Sequence, residues 1–210
     1  MNSLVLAALV STSLVAAPRE RGENRAPPGE TLTAQEKEML ALAKELAQGA
    51  TAFMEQWIAS KETTEERLFS FFYFPVPNTD PPKFTTSWDK LADRDFSRFS
   101  DRIMARSPMV EFAVIVDKNG YLPTHNEKFS KPLTGNPAVD LVQNRTKRIF
   151  NDKTGLASAR STAPHLFQKY QRDTGETLGE VAVPILVHGQ HWGAARIGYR
   201  VLEVGATAVK

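Results

Sequence analysis

The chain contains no cysteine. That excludes disulfides, thiol nucleophiles, thiolate zinc or iron–sulfur sites, and covalent haem through C-x-x-C-H. A surplus of charge of one sign is also missing. Twenty-six basic against 24 acidic side chains leave +2, too little to drive binding to nucleic acid or to an anionic membrane surface. No P-loop, G-x-G-x-x-G, G-x-S-x-G or H-E-x-x-H pattern occurs, and no nucleophile–base arrangement emerges, so the expectation is a protein that is not an enzyme. Uncharged apolar runs stop short of the roughly 20 residues of a bilayer span. What is present is 210 residues, 41% hydrophobic and 24% charged. That is enough chain to bury a single core without a metal or disulfide staple.

The N-terminus points to export. Leu4 to Ala17 (LVLAALVSTSLVAA) is uncharged, and Val15-Ala16-Ala17 offers small residues at the spacing of a signal-peptide cleavage site. Residues 1–17 therefore read either as a signal peptide or as the end of a transmembrane anchor that begins upstream. Residues 18–30 (PRERGENRAPPGE) are polar and rich in Pro and Gly, the composition of a linker. Residues 31–204 read as a single domain and 205–210 as a tail. No second apolar span follows Val201, which fits either a free exported domain or one cut from a receptor.

Within the domain, hydrophobic periods set the elements. Thr33 with Glu36 forms a capping box. Met39, Leu42, Ala43, Leu46, Ala50, Phe53, Met54, Trp57 and Ile58 recur at helical spacing, so Thr31 to Ser60 reads as one long helix. Leu68 to Phe74 (LFSFFYF) reads as a buried strand, Pro75 to Pro82 as a loop, and Ser87 or Asp89 to Ala105 as a second helix. Val110 to Asp117 is a strand that turns at Lys118-Asn119-Gly120, and Tyr121 to Asn126 returns as an extended piece. Asn136-Pro137 starts a helix expected to reach Phe150. Gly155 to Thr162 reads as a strand. Thr177 to Val187 and His191 to Val201 read as a hairpin with Gly189-Gln190 in a II′ turn. The order lacks the strand–helix alternation of a parallel sheet. The expected fold is α+β, with a five- or six-stranded antiparallel sheet and the long N-terminal helix packed along one face.

Chemistry is expected where polar groups fall on apolar faces. Arg145 lies on the stripe set by Ala138, Leu141, Val142 and Ile149. A buried cation needs a partner, which is either a carboxylate ligand or an acid such as Asp152 or Asp173, unless its side chain snorkels out to solvent. Arg160 shares a strand face with Leu156 and Ser158, and Arg196 one with Trp192 and Ala194. The same two readings stay open for each. Tyr121 and His125 share a face. His188 and His191 should sit opposite each other across the turn, a weak metal candidate without a third ligand. Asp117-Lys-Asn-Gly120 is a calcium-loop fragment whose distal acid is replaced by Lys128. Asn144-Arg-Thr146 fits a glycosylation pattern but falls inside a predicted helix.

Four blocks in order carry a family resemblance. They are Asp117-Lys-Asn-Gly-Tyr-Leu-Pro-Thr-His-Asn126, Asn144-Arg-Thr-Lys-Arg-Ile-Phe-Asn-Asp152, Gln168-Lys-Tyr-Gln-Arg-Asp-Thr-Gly175 and Pro184-Ile-Leu-Val-His-Gly-Gln-His-Trp-Gly193. Together they resemble the extracytoplasmic sensor domains of bacterial methyl-accepting chemotaxis proteins, the single Cache or PAS-like modules. The resemblance covers about Val110 to Arg200. It implies a PAS-like/Cache sheet, a periplasmic location and a ligand held between the sheet and the loops on one side. The long helix would pass the signal on, could pair two copies into a homodimer, and would join receptor transmembrane and signalling segments. The expected ligand is a short carboxylate such as acetate, held near Tyr121, His125, Arg145, Arg148, Arg160 and His191-Trp192. No resident cofactor is expected. A non-covalent haem on His125 or His191, and a free-standing periplasmic binding protein, are the alternatives.

Overall fold

The computed structural model describes residues 23–25, 31–172 and 175–201. The expected signal or anchor and the C-terminal tail lie outside them, as does most of the linker. Three linker residues, Glu23–Arg25, instead pair as a short edge strand, β1.

Helix α1, Ala34–Ala59, opens with the capping box in place. Thr33 Oγ1 accepts from Glu36 N at 3.1 Å, and Thr33 N donates to the Glu36 carboxylate at 2.8 Å. Its apolar stripe, Met39 to Trp57, is buried nearly end to end. Phe53 and Ile58 are only partly covered.

The stripe lies on an antiparallel sheet of four main strands: Val110–Asp117 (β4), Leu166–Gln171 (β7), Thr177–Val187 (β8) and Gln190–Tyr199 (β9). Their order is β7-β8-β9-β4, with β1 beside β7. Side-chain alternation gives the sheet two buried faces. Val181, Val183 and Ile185 of β8 and Ala195 and Ile197 of β9 face α1. Phe112, Val114 and Val116 of β4 face away, together with Ala182 and Ala194. Helix α3, Asp89–Met104, packs beside α1, where the Trp57 and Phe96 rings lie 5.0 Å apart.

Several expected elements differ. The 68–74 run is not a strand. Glu65–Leu68 is a single helical turn, α2, and Phe72 and Phe74 are 71% and 58% exposed. Only Phe74–Val76 (β2) is extended, paired with Lys83–Thr85 (β3). The return after Gly120 shrinks to Tyr121–Leu122 (β5), which pairs with Arg148–Ile149 (β6) in a separate ribbon.

The helix from Pro137 (α4) stops at Gln143, not Phe150. Tertiary bonds outcompete continuation there. Lys83 Nζ donates to Asn144 O at 3.0 Å, Asn144 Oδ1 at 2.7 Å and Thr146 O at 2.7 Å. Arg145 N donates to Phe129 O, and Lys147 N to Leu122 O. Asn and Thr are weak helix formers, and Lys147 takes a positive φ of 61°.

Residues 153–160 form a helix, α5, rather than a strand. Asp152 caps it by accepting from Gly155 N at 2.9 Å. Strand β7 was not expected at all. The hairpin turn is shifted by one residue: His188 and Gly189 occupy it with φ of 47° and 80°. That is the I′ pattern, whose twist matches the strands. His191 therefore pairs with Leu186 instead of facing His188.

Candidate ligand-binding cleft

The sheet face turned away from α1 carries charge inside a hydrophobic layer. Glu180 of β8 is fully buried, diagonal to Arg196 of β9, because Ala182 pairs with Arg196 and Glu180 with Gly198. Arg196 Nε donates to Glu180 Oε1 at 3.0 Å and Nη2 to Oε2 at 2.6 Å. Burial works against the Arg196 charge, but Glu180 outweighs it and raises the guanidinium further. Ser158 of α5 also donates to Glu180, and Gln168 of β7 donates to Ser158 Oγ at 2.6 Å. One polar chain thus ties α5 to three strands.

Above this pair the sheet is not covered completely. A half-open cleft of about 260 Å³ is lined by Arg145, Arg148, Phe150, Asp152, Tyr170, Arg172 and Arg196. A second half-open space of about 40 Å³ adjoins it, where Phe112, Val114, Val116, Leu122 and His125 join Arg145, Arg172 and Arg196 in the walls. The loop after α4 positions Arg145 and β6 positions Arg148. Both guanidiniums lie over the Phe150 ring, at 5.2 and 4.8 Å from its centroid, and both donate to Leu141 O at 3.3 Å. Arg172 follows β7. It donates to Glu176 at 2.9 Å and lies 5.2 Å from the Phe129 ring centroid.

His125 is buried, and its Nδ1 accepts from Asn126 N at 2.7 Å. Burial, then Arg145 and Arg172, push its pKa well below the usual histidine range. A neutral ring whose Nδ1 accepts carries its proton on Nε2.

Of the residues expected at the site, the structure gathers His125, Arg145 and Arg148. The others lie elsewhere. Tyr121 belongs to the α1-side core, its hydroxyl 2.9 Å from Phe84 O and from both Asp89 oxygens. Trp192 is also on that side, donating to Leu68 O at 3.2 Å. The bulge between Ile185 and Leu186 separates its facing from that of Arg196. Arg160, at the end of α5, is exposed and donates to Lys118 O at 3.2 Å. His191 sits near the hairpin tip. Arg172, Tyr170 and Glu180 were missed.

Asp117-Lys-Asn-Gly120 is explained as a turn. Asp117 accepts from Asn119 N at 2.9 Å, Tyr121 N at 3.0 Å and the Tyr73 hydroxyl at 2.5 Å. Among the described residues no group of three or more His, Cys, Asp or Glu could hold a metal. No described helix is long and apolar enough to cross a membrane. His125 borders the 40 Å³ space and not the larger cleft. No family model and no curated protein matches the chain.

Proposed function

We propose that this chain is a ligand-sensing module that takes up a small organic anion, a short carboxylate, in the arginine-lined cleft. The observation that carries the reading is the convergence of Arg145, Arg148, Arg172 and Arg196 on one half-open space of about 260 Å³. Arginine forks match carboxylate geometry, and a charge-assisted contact in a partly dry site gains strength. Arg145 and Arg148, whose guanidiniums both lie over the Phe150 ring, are the pair assigned to the ligand. Phe150 serves as their stacking platform, and the neutral His125 limits the guest from within.

The four sequence blocks that resemble the Cache sensors of chemotaxis receptors support the same reading. In that reading the domain is exported, performs no catalysis and is joined to receptor segments. The cleft and α1 lie on opposite faces of one sheet, so a ligand that favours one placement of β8 and β9 also favours one placement of α1.

Calorimetric titration of the domain with acetate tests this. The expected result is saturable binding, weakened at least tenfold by Arg145→Ala and by Arg148→Ala, with Arg160→Ala unchanged as the control. Unchanged affinity in both cleft variants, with circular dichroism showing intact folds, would overturn the assignment.

A further inference from the structure

Lys83 of β3 lines neither space, yet it holds the segment that forms one wall of the cleft. It is 4% exposed, and its Nζ donates to Asn144 O at 3.0 Å, Asn144 Oδ1 at 2.7 Å and Thr146 O at 2.7 Å. An ammonium has three protons, so each has an acceptor. Beside it, Phe84 N donates to Lys147 O at 2.8 Å. The same segment runs on into the cleft, where Arg145, Arg148, Ile149, Phe150, Asn151 and Asp152 form the wall.

That segment has little regular structure of its own. Its strand, β6, is two residues long and pairs with the equally short β5. Lys147 takes a φ of 61°, a backbone state that is unfavourable with a Cβ and persists where the surroundings impose it. Arg145 N and Lys147 N donate to Phe129 O and Leu122 O at 2.7 and 2.8 Å.

We infer that Lys83 is the positioning residue of the cleft: by holding Asn144 and Thr146 it fixes where the wall of residues 145–152 stands, and so how the cleft receives an anion. The inference rests on the reading of the cleft as a carboxylate site and adds what sets that site's geometry.

The hold needs the ammonium form. A neutral amine donates two hydrogens and turns a lone pair towards the third oxygen. Burial opposes the charge most. Arg148 of β6, with Arg145 and Lys147 of the connecting loop, opposes it further, while Asp140 of α4 favours it. The balance lowers the amine to about 8. The wall is therefore held at pH 7 and released as the pH rises through about 8.

The experiment follows acetate binding by calorimetry from pH 6.5 to 9.5 in the wild-type domain and in Lys83→Met. Wild-type affinity should fall at least fivefold by pH 9.5, with half of the fall reached at about pH 8. Lys83→Met should bind at least fivefold more weakly than wild type at pH 7 and keep that affinity at pH 9.5. A folded variant with wild-type affinity and pH profile overturns the inference and leaves the cleft standing. A weaker variant beside a flat wild-type profile marks a merely structural lysine and overturns it too.

A second readout does not pass through acetate. In the wild type the carbon-13 shifts of the Asn144 and Thr146 carbonyls should titrate with a midpoint at about 8. In Lys83→Met the amides of Arg145 and Lys147 should exchange with solvent at least tenfold faster, while that of Val181 stays within twofold. Flat carbonyl shifts or unchanged exchange overturn the positioning role even where acetate binds. Titrating carbonyls in a domain that takes up no acetate at any pH overturn the cleft instead and leave Lys83 as the holder of this segment. If Lys83→Met does not fold, the wild-type carbonyl titration and acetate profile decide.

Discussion

Arg196 and Glu180 form a buried two-point ion pair beneath the cleft, with side chains only 7% and 0% exposed. The pair closes the floor on which the mouth arginines stand, and it links β8 and β9 to α5 through Ser158. Removing one partner leaves a charge without solvent or counter-charge, which typically costs about 3–5 kcal/mol. Glu180→Ala and Arg196→Met should each destabilise the domain by that amount in urea unfolding at pH 7. The double variant Glu180→Leu with Arg196→Met should lose clearly less than the two single losses added together. Additive losses would show that the two residues act independently.

Asp117 gives the fold an unusual dependence on pH. Burial raises its carboxyl to about 6, although Tyr73, Tyr121 N and Asn119 N favour the ionised form. In the unfolded chain the same group ionises near 4. Between about pH 4 and pH 6 the folded state keeps a proton that the unfolded state has released. Stability from this group is therefore complete below about pH 4 and is lost as pH rises to about 6. Two units correspond to about 3 kcal/mol. The stability of wild type minus that of Asp117→Asn should fall by about that much between pH 4 and pH 7. A difference that stays flat across the range removes the argument.

His125 acts with the opposite sign. Its folded pKa is depressed by burial and by Arg145 and Arg172, so the unfolded chain takes up the proton first as pH falls. Its contribution is present above about 6.5 and is lost as pH falls below that. Relative to His125→Gln, the wild type should lose stability on acidification below about pH 6.5. If the two proteins lose stability in parallel, the ring is charged in the folded state.

Residues whose neighbours are close in sequence were legible. The capping box of Thr33 and Glu36, the stripe from Met39 to Trp57, strand β4 and the final hairpin all follow local periods and caps, and all are present. What failed depended on distant partners. Asn136-Pro137 starts a helix as read, but the Lys83 amine sixty-one positions upstream of Asn144 stops it. Residues 153–160 had their own start signal, since Asp152 precedes Leu-Ala-Ser-Ala at capping distance, and the strand reading overlooked it. Arg145 was singled out from a helical stripe that does not exist, yet it is buried. The burden of charge among apolar neighbours was a sounder signal than the facing argument. Glu180 carried that same signal within GEVAVPILV. Its partner in the hairpin could have been found by setting the turn at His188-Gly189.

Trp192 separates the two faces of the sheet by experiment. The sequence placed it as an apolar wall of the ligand site, but its ring lies on the α1 side, 5.5 Å from Trp88 and perpendicular in sense at 67°. Truncating so large a buried ring costs about 3–5 kcal/mol, so Trp192→Ala should lower the urea midpoint strongly. Trp192→Phe keeps most of the volume and forfeits the hydrogen bond to Leu68 O. In that milder variant the affinity for acetate should stay within twofold of wild type while stability drops, because no atom of the ring borders the arginines. A tenfold loss of acetate affinity in a folded Trp192→Phe protein would return the ring to the cleft. It would also require β9 to present the opposite face from the one that Arg196 and Glu180 define.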